Sequence, residues 1–285
     1  MQKNQIVVIG SSNLDYIVTT DHFPKGGETL EGLSFTQAMG GKGANQAVAA
    51  CRSGGAVSFI TCVGNDLNGK NALAYYNKEG IDVSLALVKE NVTTGTASIW
   101  VDKHGENSII VIPGANQYLS SDYIIPHSNR LIQANTILLQ MEIPYETVKT
   151  ICKISTGHTK VILNAAPAYS IEDEILQSIY MLVVNETEAE TISKCQIEQI
   201  GEEEMVKTLL QKGVKNVILT LGSSGCIYSN CTDWLKSPAF KVQVKDTTAA
   251  GDTFCGALAV GIGKYSEIKQ ALIYATAAAA LCVTS

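Results

Sequence analysis

Short apolar runs alternate with helical patterns through most of the 285-residue chain. The runs are rich in β-branched residues and apolar on both faces, as strands covered by helices on both sides must be. Segments with helical periodicity separate them, which predicts an α/β fold with a doubly wound, mostly parallel sheet flanked by helices. The clearest runs are IVVIG (6–10), VSFITCVG (57–64), TILLQ (136–140), KVILN (160–164), MLVVN (181–185), NVILT (216–220) and CIYS (226–229).

Two regions depart from this alternation. Residues 94–112 alternate between polar and apolar positions around the sequence KHGE, which predicts two strands joined by a turn. Residues 15–36 also have the pattern of strands, without a helix between them. We expect both segments to form a small sheet apart from the main one, as a lid or a dimer surface. No repeat or Pro/Ser-rich linker divides the chain, so we predict one domain over residues 1–285.

Composition narrows the class of protein. With 46% hydrophobic and 17% charged residues, the chain has the composition of a folded globular protein. Its net charge of −6 argues against a general nucleic-acid binder. The longest apolar run, ATAAAALCV, is far shorter than the roughly 20 residues of a membrane span, and no cationic signal segment precedes the first strand. We therefore expect a cytoplasmic protein that acts on small molecules.

The cysteines and histidines do not form a recognisable metal site. The eight cysteines include no CxxC, and most lie in apolar stretches, which is typical of buried, reduced thiols. The four histidines are far apart in the sequence. Neither pattern favours zinc.

Polar residues follow the carboxyl ends of several predicted strands. These ends meet at one edge of a parallel sheet, where open α/β folds bind ligands. Any one of the residues could be a turn or helix cap, but together they indicate a polar ligand rich in hydroxyl groups. They are Asn13, Asp15, Gln140, Glu142, Asn164, Asn185 and Thr220.

The stretch DTTAAGDTF (246–254) combines very small residues with a carboxylate at the start of a predicted helix. Unpaired N–H groups and the helix dipole make such a start attractive to anions, and Ala249, Ala250 and Gly251 would let an anion approach closely. A carboxylate beside an anion is better explained as a base that takes a hydroxyl proton than as an ordinary first-turn acid. Asp252 is therefore a candidate base, and an ordinary helix start is the alternative.

Three other stretches admit two interpretations each. The segment GGKGAN (40–45) could bind hydroxyl groups or phosphate through its amides and polar side chains, or it could be a closely packed helix start. It is not a dinucleotide-binding fingerprint, because Gln46 stands where that motif needs glycine. NETEAE (185–190) places Asn185 and Glu188 on one helix face, where they could hold Mg²⁺ through waters or form a solvated acidic helix start. TLGSSG (220–225) could cover a nucleotide or form a tight hairpin.

A fourth stretch, GNDLNGKN (64–71), matches the phosphate-binding pattern GxxxxGK. Asn71 replaces the Ser or Thr whose hydroxyl binds magnesium, and Asp66 would crowd the phosphates. We therefore predict that this stretch caps the following helix.

Taken together, GSSNLD, GGKGANQAVAA, LNAAPA, NETEAE, TLGSSG and DTTAAGDTF resemble, in order and spacing, the phosphofructokinase-B-type carbohydrate kinases. The resemblance runs from about residue 5 to the C-terminus. It implies an ATP-dependent kinase that phosphorylates D-ribose at O5, with a β lid that often forms a dimer clasp. The alternatives are a kinase of another sugar, such as 2-deoxyribose, and a non-catalytic protein that binds sugar or nucleotide. A nucleoside kinase is not favoured, because the candidate sugar contacts include no aromatic cluster that would stack a nucleobase.

The resemblance also implies roles for individual residues. Asp252 would be the general base, and the amides of Ala249, Ala250 and Gly251 the anion hole. The implied sugar-binding residues are Asn13, Asp15, Gly41, Lys42, Gly43, Asn45 and Glu142, together with Asp252. The implied nucleotide-binding residues are Asn185, Thr220, Gly222, Ser223, Gly225, Gly251 and Thr276.

Two cations are implied in the same way. Glu188 would tune Mg²⁺ binding indirectly, and Asp246, the carbonyl of Thr248 and the carbonyl of Cys282 would contribute to a site for a monovalent cation, K⁺. Chains of the family usually continue into a C-terminal loop and a final helix, whereas this sequence stops at Ser285. We therefore expect the C-terminal end of the family fold to be missing and the K⁺ site to be incomplete.

Overall fold

The computed structural model describes residues 5–155 and 157–284, so residues 1–4, 156 and 285 of the predicted domain lie outside the described residues. The strands in chain order are β1 Gln5–Ile9, β2 Asn13–Thr19, β3 Ser34–Gly40, β4 Ala56–Ile60, β5 Cys62–Gly64, β6 Leu87–Lys89, β7 Gly95–Val101, β8 Asn107–Ile112, β9 Thr136–Leu139, β10 Lys160–Asn164, β11 Met181–Val184, β12 Val217–Thr220, β13 Cys226–Ser229 and β14 Trp234–Ser237.

The central sheet confirms the predicted α/β architecture. Within the described residues it has the strand order β14-β13-β12-β11-β10-β9-β1-β4. Six neighbouring strands run parallel, in the order β12, β11, β10, β9, β1 and β4. The antiparallel strands β13 and β14 lie at the edge next to β12. The carboxyl ends of β9 to β12 therefore meet along one edge of the sheet.

Helices cover both faces of this sheet. One apolar core lies between the sheet and α1, α2, α9 and α10, and the other lies beneath α3 to α8. The run α8 is interrupted at Gly201, whose φ of 81° is not helical. The helices are α1 Lys42–Arg52, α2 Leu67–Lys78, α3 Ser121–Ile124, α4 Ser128–Ile132, α5 Tyr145–Ile154, α6 Asp173–Ser178, α7 Glu186–Ser193, α8 Ile197–Gln211, α9 Ala250–Lys264 and α10 Ile268–Cys282, with 3₁₀ turns at Gly114–Tyr118, Ile125–His127 and Gly222–Ser224.

The separate small sheet is present, with strand order β3-β2-β7-β8. Strand β2 pairs antiparallel with β3 and parallel with β7, and β8 completes the predicted hairpin. Its outer strands expose apolar side chains, including Phe35 and the run 109–112. This lid sheet extends from β2 and β7, whose first residues lie beside the carboxyl edge of the main sheet.

Two details of the strand prediction are wrong. The run 57–64 is not one strand, because β4 is the edge strand of the main sheet and the chain beyond it pairs instead with β6, in a two-stranded sheet. Residues 20–33, inside the segment predicted as strands, form a loop. Pro24, Gly26 and Gly27 explain this loop, since these residue types interrupt a strand ladder.

Two other expectations can be compared with the structure. Asp66 caps α2 by accepting a hydrogen bond from the Gly69 N–H at 2.7 Å, which confirms the prediction for GNDLNGKN. The eight cysteines all lie within the described residues and are free, although Cys231 is exposed. Among the helices of the described chain, none is both long and apolar enough to cross a membrane.

Helix α1 packs directly on the loop that follows β1. A Cβ atom added at Gly43 would lie 2.5 Å from the carbonyl carbon of Gly10, and this neighbour is backbone that cannot rotate away. Gly43→Ala is therefore expected to lower the free energy of unfolding, measured by urea denaturation, by about 2–3 kcal/mol.

Gly26→Ala is the matched control, because a Cβ at Gly26 meets nothing within 4 Å. Equal unfolding free energies for the two variants would show that the loop after β1 yields to α1 without cost.

Candidate active site

A cavity of about 180 Å³ opens at the carboxyl edge of the sheet, between β10, β11 and β12 and the start of α9. Three of the predicted strand-end residues line it, namely Asn164, Asn185 and Thr220. Its other lining residues are Lys42, Ala166, Val183, Glu188, Thr247, Ala249, Ala250, Gly251, Asp252 and Cys255.

The start of α9 presents backbone N–H groups to this cavity. Ala249 caps the helix in the left-handed conformation, with φ of 59°, and the N–H of Ala250 donates to Thr247 O at 3.2 Å. Among the described residues, the N–H groups of Gly251 and Asp252 have no acceptor. Because the helix dipole adds partial positive charge here, this end of α9 can hold an anion.

Asp252 lies in the first turn of this helix, and its side chain is buried. Asn45 Nδ2 donates to Asp252 Oδ2 at 3.0 Å, and Gln46 Nε2 donates to Oδ1 at 2.9 Å. Burial raises the pKa of Asp252 above its ordinary value, while the positive charge of Lys42 and the two amide donors oppose that rise. The result is a desolvated carboxylate held in one orientation beside the anion-binding amides.

Gln46 belongs to a line of buried amides behind Asp252. Its Nε2 also donates to Asn164 Oδ1 at 3.0 Å, and its Oε1 accepts from Gln140 Nε2 at 2.6 Å. Asn164 Nδ2 in turn donates to Val183 O at 3.3 Å. This line connects the ends of β9 and β10 to the carboxylate on α9.

Glu142 ties the end of β9 to the start of α1. Its Oε2 accepts from the Ser11 hydroxyl and, at 2.9 Å, from the Lys42 N–H. Asp15, on the first lid strand, packs against Gly40, where a Cβ would overlap its carboxyl group. Burial, together with the charge of Glu142, raises the pKa of Asp15 to about 6.

Asp15→Asn is expected to stabilise the ligand-free protein at pH 7. Folding raises the pKa of this carboxyl from 3.8 to about 6, so the native state binds more protons than the unfolded state between these values, and stability falls as pH rises through them. The free energy of unfolding should rise by about 1 kcal/mol, because solvent reaches part of the Asp15 carboxyl and screens its repulsion with Glu142.

Urea denaturation at pH 7 and pH 4 tests this expectation, with Asp173→Asn at the exposed start of α6 as the control. The gain should shrink towards pH 4, where the native carboxyl is protonated and neither its desolvation nor the charge of Glu142 destabilises the fold. A gain that is equal at both pH values would mean that repulsion and desolvation at Asp15 are not its cause.

Asn13 is held by a residue that the sequence patterns did not single out. Asn116 Nδ2 donates to Asn13 Oδ1 at 2.8 Å, and Asn116 Oδ1 accepts from the Ser12 N–H at 2.9 Å. A Cβ at Gly95 would overlap both amide side chains. The lid strands and the loop after β1 are joined at this point.

The glycine-rich start of α1 is mainly a closely packed junction. The Gly43 N–H donates to Ser11 Oγ at 3.3 Å, and the Ala44 N–H donates to Ser11 O at 2.9 Å. The Gly43 N–H, which we expect to contact the sugar, is engaged by the loop after β1 through this hydrogen bond. Gly41 caps the helix with φ of 90°, and Lys42 and Asn45 face the candidate site.

Asn185 and Glu188 form a capping box at the start of α7. The Asn185 N–H donates to Glu188 Oε2 at 2.8 Å, Asn185 Nδ2 donates to Oε1 at 3.1 Å, and the Glu188 N–H donates to Asn185 Oδ1 at 2.8 Å. Glu188 is buried against the cavity, so a fully solvated acidic start is not what the structure has. Burial raises its pKa, which hydrogen bonding from Asn185 and the charge of Lys42 oppose.

Of the predicted nucleotide-binding residues, Asn185, Thr220 and Gly251 line the cavity. The 3₁₀ turn Gly222–Ser224 joins β12 to the antiparallel β13, with Ser223 exposed and Gly225 at φ of 94°. Thr276 lies buried on α10, outside the lining of the cavity, and donates to Leu272 O at 2.8 Å. TLGSSG is thus a hairpin turn next to the cavity.

Two of the residues expected around the monovalent cation, Asp246 and Thr248, lie on the exposed loop before α9, and the third, Cys282, is the last residue of α10. The Thr248 N–H donates to Asp246 Oδ1 at 2.7 Å, and Cys282 Sγ lies 3.7 Å from Thr248 O. Val283 O accepts from the N–H groups of Lys245 and Asp246. The end of α10 therefore fastens the loop that leads into the anion-binding helix start.

Sequence reasoning missed several residues that build the site. The sequence patterns mark Gln140 and Asn164 only as polar strand ends, and Gln46 only as the residue that breaks a glycine fingerprint. Ser11 and Asn116 carried no such signal. The polar residue at a strand end was the available clue, while the partner that each one meets was not readable.

Comparison with known proteins identifies relatives along the whole chain. The model of the pfkB family carbohydrate kinases matches residues 3–285. The chain is 38% identical over 286 residues to a ribokinase of Haemophilus influenzae, covering 99% of this chain and 93% of the relative. It is also 34% identical over 282 residues to a deoxyribokinase of Salmonella typhi, covering 98% and 92%.

Solved structures give the same picture. The fold resembles a ribokinase from Thermotoga maritima, with a TM-score of 0.89, 41% identity and coverage of 98% of this chain and 93% of that one. It also resembles Arabidopsis thaliana ribokinase complexed with ribose and ATP, with a TM-score of 0.87, 32% identity and coverage of 100% and 94%.

Proposed function

Because the chain belongs to the pfkB family of carbohydrate kinases, we propose that it transfers the γ-phosphoryl group of ATP to O5 of D-ribose. One observation carries the proposal: a buried carboxylate, Asp252, lies at a helix start whose neighbouring N–H groups have no acceptor among the described residues. A base and an anion hole side by side match the needs of phosphoryl transfer to a hydroxyl group.

In this proposal Asp252 accepts the proton of the sugar hydroxyl as the hydroxyl oxygen attacks the γ-phosphorus of ATP. The bond from this phosphorus to the β–γ bridging oxygen breaks, and ADP leaves. The N–H groups of Gly251 and Asp252 and the dipole of α9 then stabilise the negative charge on the transferring group. Lys42, whose charge acts on both Asp252 and Glu188, adds a cation that lines the same cavity. The small side chains from Ala249 to Gly251 leave the space that the phosphoryl group needs.

The sugar would bind between the lid and the start of α1. Carboxylate and amide side chains there are held by protein partners, so they are pre-organised to accept and donate hydrogen bonds to hydroxyl groups. The high identity to ribokinases, and the ribose present in one of the related structures, favour ribose as the substrate. The proposed contacts are Asn13, Asp15, Gly41, Lys42, Asn45, Glu142 and Asp252.

Magnesium would enter with ATP. Both carboxylate oxygens of Glu188 already accept hydrogen bonds from Asn185, and the described residues include no group of three or more His, Cys, Asp or Glu that could hold a metal ion. This arrangement fits an ion carried by the phosphates, which Glu188 contacts through water. Asn185 and Thr220 would lie along the nucleotide.

A monovalent cation would bind at the loop before α9. Asp246 supplies a carboxylate and Thr248 a carbonyl oxygen, which are the kinds of ligand that K⁺ prefers. The end of α10 lies against this loop through Cys282 and Val283. A cation here would order the loop that leads into the anion hole.

The lid would also form a dimer surface. Four consecutive residues of β8, Ile109 to Ile112, are about half exposed, and Phe35 and Leu33 are more exposed still. Large apolar side chains exposed at both edges of this small sheet are typical of an interface. A monomeric mass in sedimentation equilibrium would remove this part of the proposal.

Two alternatives remain for the same site. The first is a kinase of 2-deoxyribose, with which the 34% identity to a deoxyribokinase is consistent, and the second is a non-catalytic protein that binds sugar or nucleotide in the same cleft. The first alternative keeps the mechanism and changes the substrate. The second would bind ribose without releasing ADP.

The deciding experiment measures ADP release from MgATP with a panel of pentoses, in the presence and absence of K⁺. Ribose-dependent release that K⁺ stimulates is the expected result. A preference for 2-deoxyribose would identify that sugar as the substrate instead of ribose. Ribose binding in calorimetry without turnover of any sugar would show that the protein is a binding protein and not a kinase.

A further inference from the structure

The line of buried amides behind Asp252 has a defined direction. Gln46 is completely buried and does not line the cavity, so it reaches the reacting groups only through its neighbours. Its NH₂ group donates to both Asp252 Oδ1 and Asn164 Oδ1. Both acceptors are oxygens, so a flipped Gln46 amide would place its own oxygen against two others.

Gln140 determines which way this amide points. Its NH₂ group donates to Gln46 Oε1, while its own Oε1, also fully buried, has no partner among the described residues and lies against Gly10. An unpaired buried oxygen costs free energy that an apolar side chain of similar size would avoid. A Gln140 side chain that carries this cost, and donates only to Gln46, is explained by its orienting role.

We propose that Gln46 is a positioning residue for phosphoryl transfer, holding the Asp252 carboxylate in its reactive orientation, and that Gln140 fixes the direction of the Gln46 amide. The proposal rests on the proposed function, in which Asp252 takes the proton of the sugar hydroxyl. Asn45, the other donor to Asp252, faces the sugar, so the Gln46 contact is the one that can persist unchanged when the sugar binds.

Hydrogen bonding by Gln46 also sets the proton affinity of Asp252. The donor opposes the rise that burial produces in the pKa of this carboxyl. The other titratable groups that face Asp252 are Lys42 on α1, Glu142 after β9, Glu188 on α7 and Cys255 on α9 itself. None of them changes when Gln46 is replaced, so the effect of the amide can be measured separately.

Gln46→Met tests the proposal, because methionine has a similar length and no amide. Loss of a hydrogen bond to a charged group should raise the pKa of Asp252 and so shift the acid limb of the pH profile of kcat to higher pH by about one to two units. At pH 7 kcat should fall roughly tenfold, with KM for ribose changed by less than about threefold, since the lost contact positions the base rather than the sugar. Gln211→Met, at the exposed end of α8, is the matched control.

A uniform fall in kcat with an unmoved acid limb would overturn the proposal, because a purely structural role predicts that result. Gln140→Met provides a second variant should Gln46→Met fail to fold; its acid limb should move in the same direction by a smaller amount, and no movement there overturns the role of Gln140.

Failure of the proposed function is distinguishable from failure of this inference. The ¹³C resonance of the Asp252 carboxyl, assigned by its absence in Asp252→Asn, reports the pKa without turnover. A protein that phosphorylates no sugar would remove the proposed function. An equal carboxyl pKa in the wild type and Gln46→Met would remove the positioning role, and a raised pKa in the variant supports it.

Discussion

Asp252→Asn is expected to lower kcat for sugar phosphorylation by about 10²- to 10⁴-fold, the effect of removing a positioned general base. Asparagine keeps the size of the side chain but cannot accept the hydroxyl proton. The variant should fold, because burial raises the pKa of Asp252 and an ionised carboxylate in this position destabilises the native state at pH 7. The measurement is ADP release from MgATP with saturating ribose.

Asp173→Asn is the control for this substitution, since Asp173 is an exposed carboxylate paired with Lys212. Binding of MgATP and ribose by calorimetry should remain measurable in Asp252→Asn. A variant that retains more than about a tenth of the wild-type kcat would contradict the role of Asp252 as the base.

Gly251→Pro is expected to lower kcat by about 10²- to 10³-fold, the usual effect of losing one donor to a developing anion. Gly251 is the second residue of α9, where proline is tolerated because its missing N–H has no partner within the helix. A Cβ at this position meets nothing within 4 Å, so the protein leaves room for the first carbon of the added ring. The substitution therefore removes a donor from the anion hole while leaving the helix in place.

Gly251→Ala separates the donor from the added bulk. Alanine keeps the N–H, so this variant should lose less than about tenfold in kcat. Circular dichroism should show equal helix content in both variants. Equal losses of kcat in the alanine and proline variants would mean that space at the helix start, rather than the N–H of Gly251, is what the reaction needs.

The site carries a cost in stability that its function explains. Asp15, Glu188 and Asp252 are carboxyl groups whose pKa values burial raises, and Lys42 acts on the latter two. Ionised carboxylates in a partly desolvated cleft weaken the native state. The same desolvation strengthens their interactions with a bound sugar and with the transferring phosphoryl group.

The sequence alone determined the architecture, because burial leaves a local record. Strands covered on both faces must be apolar throughout, so the runs that became β1, β9, β10, β11 and β12 were recognisable. The lid was recognisable because its strand patterns follow one another without a helical segment between them. The small residues before Asp252 were equally local, since a helix start that admits an anion cannot carry large side chains.

Only the tertiary structure decided which polar groups meet. Gln46 and Asp252 are 206 residues apart in the sequence, and Gln46 and Gln140 are 94 apart. The same packing satisfied the Gly43 amide with Ser11 and placed Thr276 away from the cavity lining. Periodicity records whether a side chain is buried, whereas the partner of a buried hydrogen-bonding group depends on how distant elements are brought together, and no local pattern records that.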